Sequence, residues 1–162
     1  MEKGALEILV HSIADLLEAA ELRLSAAESC TGGWISTLCT DLPGSSGWFE
    51  CGFVTYSNES KQEMLEVSDL TLDTYGAVSE EIAAEMVRGA IANSRADVAV
   101  SVTGIAGPGG ATEDKPVGMV CFGWLVPALG VKTSTMYFDG DRKSVRRQSV
   151  EHSLQVLSDL LS

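Results

Sequence analysis

Ser29 is the residue best suited to covalent chemistry. It sits in Glu28-Ser29-Cys30-Thr31-Gly32-Gly33, between a short semi-apolar run and a helical pattern. A serine at a tight strand-to-helix turn presents its hydroxyl beside backbone N–H groups, and those groups can hold an oxyanion. The pattern G-x-S-x-G is absent, and on composition alone a helix-capping serine is the plainer reading. A serine nucleophile also needs a base. His11 and His152 lie near opposite ends, inside amphipathic stretches, so a Ser-His-Asp arrangement is not expected. Lysine can serve when burial lowers its pKa. Of the five lysines, Lys61 stands out because Tyr56 precedes it by five residues across a strand-to-helix turn. Lys61 is then a candidate to take the Ser29 proton, with the Tyr56 hydroxyl relaying or orienting it. Read singly, Lys61 is an exposed helix lysine and Tyr56 a core aromatic.

Two further stretches suit an anionic ligand. Gly104-Ile105-Ala106-Gly107-Pro108-Gly109-Gly110 follows a β-branched run and offers many backbone N–H groups. It lacks both the G-K-[S/T] of a P-loop and the dinucleotide fingerprint. Its length separates it from an ordinary connection. Gly140-Asp141-Arg142 opens the last helical pattern, where unpaired N–H groups favour an anion and Arg142 adds a planar fork. Arg142 and Arg146, four apart, share a helix face. Basic residues in a first helical turn oppose the helix dipole, so their presence there calls for a reason.

The elements that must position these residues follow from periodicity and punctuation. Residues 5–20 read as an amphipathic helix and Leu22–Ala27 as a strand; Trp34–Cys39 reads as a helix. Leu42–Gly47 is a loop and Trp48–Tyr56 a strand. Ser57 onward starts a helix, and Ser79 caps another that runs to Ile91. Asp97–Thr103, Val117–Val126 and Val131–Phe138 read as strands, the last two antiparallel because only a short turn joins them. Asp141–Leu161 is a long closing helix. The order predicts an α/β fold, a three-layer domain with a mixed sheet, spanning residues 1–162 as one unit.

Composition excludes several functions. The net charge is −12, which argues against binding nucleic acid. Arg142, Lys143, Arg146 and Arg147 nevertheless concentrate four of the eleven basic residues, enough for a small anion. Apolar stretches fall short of the roughly 20 residues of a membrane span. The opening Met1-Glu2-Lys3-Gly4-Ala5-Leu6-Glu7 does not resemble a signal peptide, so a cytoplasmic protein is expected. Cys30, Cys39, Cys51 and Cys121 form no C-x-x-C pair and have no histidine at metal-ligand spacing, so neither a disulfide framework nor zinc is expected. Cys39, Cys51 and Cys121 read as small buried hydrophobes.

Three segments together carry a resemblance. Ala27-Glu28-Ser29-Cys30-Thr31-Gly32-Gly33, Gly52-Phe53-Val54-Thr55-Tyr56-Ser57-Asn58-Glu59 with Lys61, and Thr103-Gly104-Ile105-Ala106-Gly107-Pro108 resemble the CinA C-terminal-domain family. Gly76-Ala77-Val78-Ser79, Lys115-Pro116-Val117-Gly118 and Gly140-Asp141-Arg142 match as well, in order, over almost the whole chain. The resemblance implies a three-layer α/β/α sandwich and an amidase that converts nicotinamide mononucleotide to nicotinate mononucleotide and ammonia. It implies that Ser29, Tyr56 and Lys61 form the catalytic group, and that Thr103, Gly104 and Arg142 line the nucleotide site with Arg142 on the phosphate. With the turn and loop described above, the expected substrate-binding set is Cys30, Thr31, Gly32, Gly33, Thr103, Gly104, Ile105, Ala106, Gly107 and Arg142. No cofactor or metal is implied. The chain resembles the stand-alone form, without the N-terminal domain of longer members, and a homodimer or higher homo-oligomer is expected. The alternative from another class is a non-catalytic nucleotide-binding paralogue that keeps the pocket.

Overall fold

The computed structural model describes residues 3–162; Met1 and Glu2, part of the acidic opening read above, lie outside the described residues. Five strands form one sheet in the order β2-β1-β3-β4-β5. β1 (Leu24–Glu28) pairs in parallel with both β2 (Phe49–Val54) and β3 (Val98–Gly104). β4 (Met119–Val126) runs antiparallel to β3, and β5 (Gly130–Tyr137) antiparallel to β4. The sheet is mixed, as the residue order predicted.

Helices cover both faces. α1 (Lys3–Ala20), α2 (Trp34–Thr40) and α6 (Arg142–Leu161) pack on one side. There Leu9, Ile13 and Leu17 of α1 and Val150, Leu154 and Leu157 of α6 meet Val98, Val100, Val102, Phe122 and Trp124 of the sheet. α3 (Asn58–Leu65), α4 (Asp69–Tyr75) and α5 (Glu80–Ala92) cover the other, around Ile82, Met86, Leu65 and Leu72. Alternate residues of β3 divide between the two cores, Val98, Val100 and Val102 to one and Ala99 to the other. That is the period-two pattern of a strand buried on both faces.

Ser57 and Ser79 start their helices as expected, and Asp141, read as the first residue of the closing helix, is its N-cap. Ser79 accepts a hydrogen bond from Ile82 N–H, Asp141 from Ser144 N–H, and Ser57 from Ser60 N–H within a reciprocal capping box. Two differences stand out. α4 was not anticipated: a single buried side chain, Leu72, anchors it, while Leu70 is exposed, so no periodic apolar face marks it. The loop after α2 contains a 3-10 turn at Ser45–Gly47. No described helix is long and apolar enough to cross a membrane.

Connectivity decides where a ligand can sit. From β1 the chain crosses through α2 to β2 at one edge. From β3, the strand beside β1, it leaves toward β4 on the opposite side. Adjacent parallel strands whose connections part in this way leave a crevice beyond their carboxyl ends. Ser29 follows β1 there, and the Gly104–Gly110 loop follows β3.

Candidate active site

A cleft of about 280 Å³ opens at this crevice. Ser29, Cys30, Tyr56 and Lys61 line it together with Thr103, Gly104, Ile105, Ala106, Gly107 and Arg142. Residues from four separate stretches of sequence therefore converge on one hollow. Asn58, Ala77 and Val78 also line it; they stand in the quoted motifs but were not read as site residues. Asn58 lies between Tyr56 and Lys61, so its position was the available signal.

Lys61 is the central feature. It is 1% exposed, although it belongs to a short polar helix. Its Nζ lies 2.9 Å from Ser29 Oγ and donates to the Thr55 carbonyl at 2.8 Å. Desolvation lowers its pKa from 10.5 to about 8. An exposed helix lysine is thus excluded. So is the helix-capping serine: the N-cap of α2 is Gly33, which makes no side-chain bond.

Glu28 performs the cap's work instead. Its buried carboxylate accepts from Ile35 N–H and Ser36 N–H at 2.9 Å each, and from the Thr31 and Ser36 hydroxyls at 2.7 Å each. The turn is held at its other end by Ser29 N–H donating to the Val102 carbonyl at 3.0 Å. Ser29 is therefore fixed between β1, β3 and α2. Glu28 stands in the motif quoted from the sequence, but this role was not read there.

Thr31, Gly32 and Gly33 do not line the cleft. The Thr31 hydroxyl is turned to Glu28, and Gly32 N–H is spent on the Ser29 carbonyl at 3.0 Å. Gly32 and Gly33 both have positive φ, which lets the chain reverse tightly into α2. Cys30 does face the cleft, but burial pushes its thiol up to about 12, leaving it protonated at neutral pH. Cys39 and Cys121 are buried and Cys51 is half-buried; all four cysteines are free.

Tyr56 is exposed at the rim, and its hydroxyl bonds Arg142 Nη2 at 2.9 Å rather than Ser29 or Lys61. Arg142 Nη1 donates to the Gly107 carbonyl at 2.7 Å. Arg142 therefore links the rim tyrosine to the Gly-rich loop. Arg146 points elsewhere, to the Cys30 and Thr31 carbonyls at 3.0 and 3.2 Å. These carbonyl partners give the reason for cations in the first turns of α6. Thr103 Oγ1 donates to the Ala77 carbonyl at 2.8 Å and so braces the cleft wall.

The histidines take no part. His11 is exposed, and His152 packs its ring against Phe122, Trp124 and Phe138. Among the described residues no group of three or more His, Cys, Asp or Glu is placed to hold a metal ion.

The chain matches the CinA C-terminal domain over residues 6–161. It is 47% identical to the nicotinamide-nucleotide amidohydrolase PncC of Escherichia coli strain K12, over 97% of this chain and 95% of that protein. It is 49% identical to the protein of the same name from Enterobacter agglomerans, over 96% and 94%. Among solved structures, the competence/damage inducible protein CihA from Agrobacterium tumefaciens superposes with a TM-score of 0.94 at 42% identity, covering 100% of this chain and 99% of that one. With its motifs, its fold and these relatives in agreement, the chain belongs to the CinA C-terminal domain family.

Proposed function

We propose that the chain is a nicotinamide-nucleotide amidohydrolase, an enzyme that converts nicotinamide mononucleotide to nicotinate mononucleotide and ammonia. The names of its close relatives support the reaction class. The observation that carries the mechanism is the buried Lys61 amine 2.9 Å from Ser29 Oγ in the cleft.

In this reading Ser29 Oγ attacks the carboxamide carbon of the nicotinamide ring while neutral Lys61 takes its proton. Lys61 keeps a donor bond to the Thr55 carbonyl, which holds the amine in place for that transfer. The N–H of Cys30, the turn residue after Ser29 that lines the cleft, stabilises the tetrahedral oxyanion. The Tyr56 hydroxyl accepts a bond from Arg142, which leaves its own proton to donate to the leaving nitrogen. Tyr56 then recovers a proton from Lys61. Ammonia departs and leaves a nicotinoyl ester on Ser29. Water, deprotonated by Lys61, hydrolyses the ester and returns the proton to Ser29. Arg142 and the Gly104–Gly110 loop hold the ribose phosphate, so binding energy far from the reacting bond orients it. A single domain, a homo-oligomeric state and a cytoplasmic location belong to the same proposal, with no membrane or nucleic-acid partner.

Purified protein incubated with nicotinamide mononucleotide tests this reading. Ammonia and nicotinate mononucleotide should appear in equal amounts. The Ser29→Ala protein, folded to the same extent, should lose at least about 1000-fold in rate. Full activity in that variant removes the serine from its role. Nucleotide binding without ammonia release by the parent points to the non-catalytic alternative.

A further inference from the structure

Three successive carbonyls in the turn that carries Ser29 are held. The Ser29 carbonyl accepts from Gly32 N–H at 3.0 Å. The Cys30 carbonyl accepts from Arg146 Nε at 3.0 Å, and the Thr31 carbonyl from Arg146 Nη2 at 3.2 Å and from Trp34 N–H at 3.1 Å. One guanidinium thus bridges two consecutive peptide units. It is itself held over the Trp34 ring, 5.5 Å from the ring centre.

In a trans peptide the C=O and N–H point in opposite directions, so a held carbonyl also aims the next residue's N–H. Gly32 N–H and Arg146 between them therefore fix the three peptide planes that follow Ser29. Ser29 N–H is fixed as well, by the Val102 carbonyl at 3.0 Å, so the backbone is held on both sides of the serine. A nucleophile held in its reacting geometry before substrate arrives avoids that ordering cost at the moment of attack.

We infer that Arg146 is a positioning residue for amide hydrolysis, clamping the Cys30 and Thr31 carbonyls and so holding the turn that presents Ser29 Oγ to Lys61. The inference rests on the Ser29 reading above. It separates Arg146 from Arg142, one helical turn earlier, which lines the cleft itself. Arginine suits the task because its rigid fork reaches two acceptors at once, whereas a lysine ammonium is a single point of attachment.

The test is steady-state kinetics of ammonia release from nicotinamide mononucleotide by the parent, Arg146→Lys and Arg146→Ala proteins. Arg146→Ala should lower kcat about 100-fold, the scale of a misplaced catalytic group, and leave KM essentially unchanged. Its pH–rate profile should keep the parent's break, because Lys61 is untouched. Arg146→Lys should fall between the two. Guanidinium ion, added below unfolding concentrations, should raise kcat of Arg146→Ala and not that of the parent. An unchanged kcat, or a loss carried by KM, overturns the inference. If Arg146→Ala does not fold, parent-like kcat in Arg146→Lys overturns it equally. Ser29→Ala separates the two levels of the argument. If Ser29→Ala is inactive and Arg146→Ala is fully active, only the clamp fails; if Ser29→Ala is active, the serine reading fails and the clamp fails with it.

Discussion

Lys61 sits where its positive charge is costly. The group is buried, and desolvation lowers its pKa from 10.5 to about 8. Between these values the unfolded chain binds more protons than the folded one, so stability rises with pH through that window. Below about pH 8 the full penalty applies, on the order of 3 kcal/mol. Lys61→Met keeps the volume and removes the charge, but it also leaves the Thr55 carbonyl without its donor, a loss of about 1 kcal/mol. The variant should be inactive yet unfold at a higher temperature than the parent at pH 7. That advantage should disappear above about pH 10.5, where the parent lysine is neutral in both states. Thermal scans across pH check both signs. The types and spacing of Ser29, Tyr56 and Lys61 were legible in the sequence. The burial of Lys61 was not, because its helix is short and polar and only tertiary packing covers it.

The strand-to-helix junction between β1 and α2 depends on a carboxylate that no local pattern marked. Glu28 supplies the acceptors that Gly33 cannot, so the start of α2 and the position of Ser29 share one anchor. Glu28→Gln would set an amide NH2 against N–H donors and leave at least one buried donor unpaired, at about 1–3 kcal/mol. A lower urea midpoint with unchanged m-value, together with reduced kcat, is the expected outcome. Wild-type stability in Glu28→Gln would remove this anchor from the account. At this scale the sequence was most legible where side chains cap helices, as at Ser57 and Ser79. It was least legible at α4, which buries only Leu72, and at Thr31–Gly33. The Gly-rich composition of that turn predicts its tightness but not which side faces the cleft. The clamp by Arg146 joins residues more than a hundred positions apart, a contact that no local pattern encodes.

Across the whole molecule, the topology puts the chemistry at the point where the connections of β1 and β3 diverge. The net charge of −12 would repel an anionic nucleotide, and the cations of the first turns of α6 offset this locally. Both cores are built on the same strands, so the two helical layers should lose structure together. Circular dichroism and intrinsic tryptophan fluorescence should therefore report one coincident unfolding transition. Separate transitions would contradict the reading of the chain as one domain. The fold was legible at this scale because alternating strand and helix patterns limit the topology, and the short β4–β5 connection set the antiparallel pair.

The central claim is that Lys61 in its neutral form activates Ser29, and the pH dependence of kcat/KM tests it most directly. If the free enzyme must hold this amine unprotonated, the rate should rise with unit slope up to about pH 8 and level off above. A nucleotide phosphate titrates near pH 6, far enough below to be separated. At pH 7 about a tenth of the molecules would then be competent. A profile that is flat from pH 7 to 9, or that falls across that interval, would contradict the account.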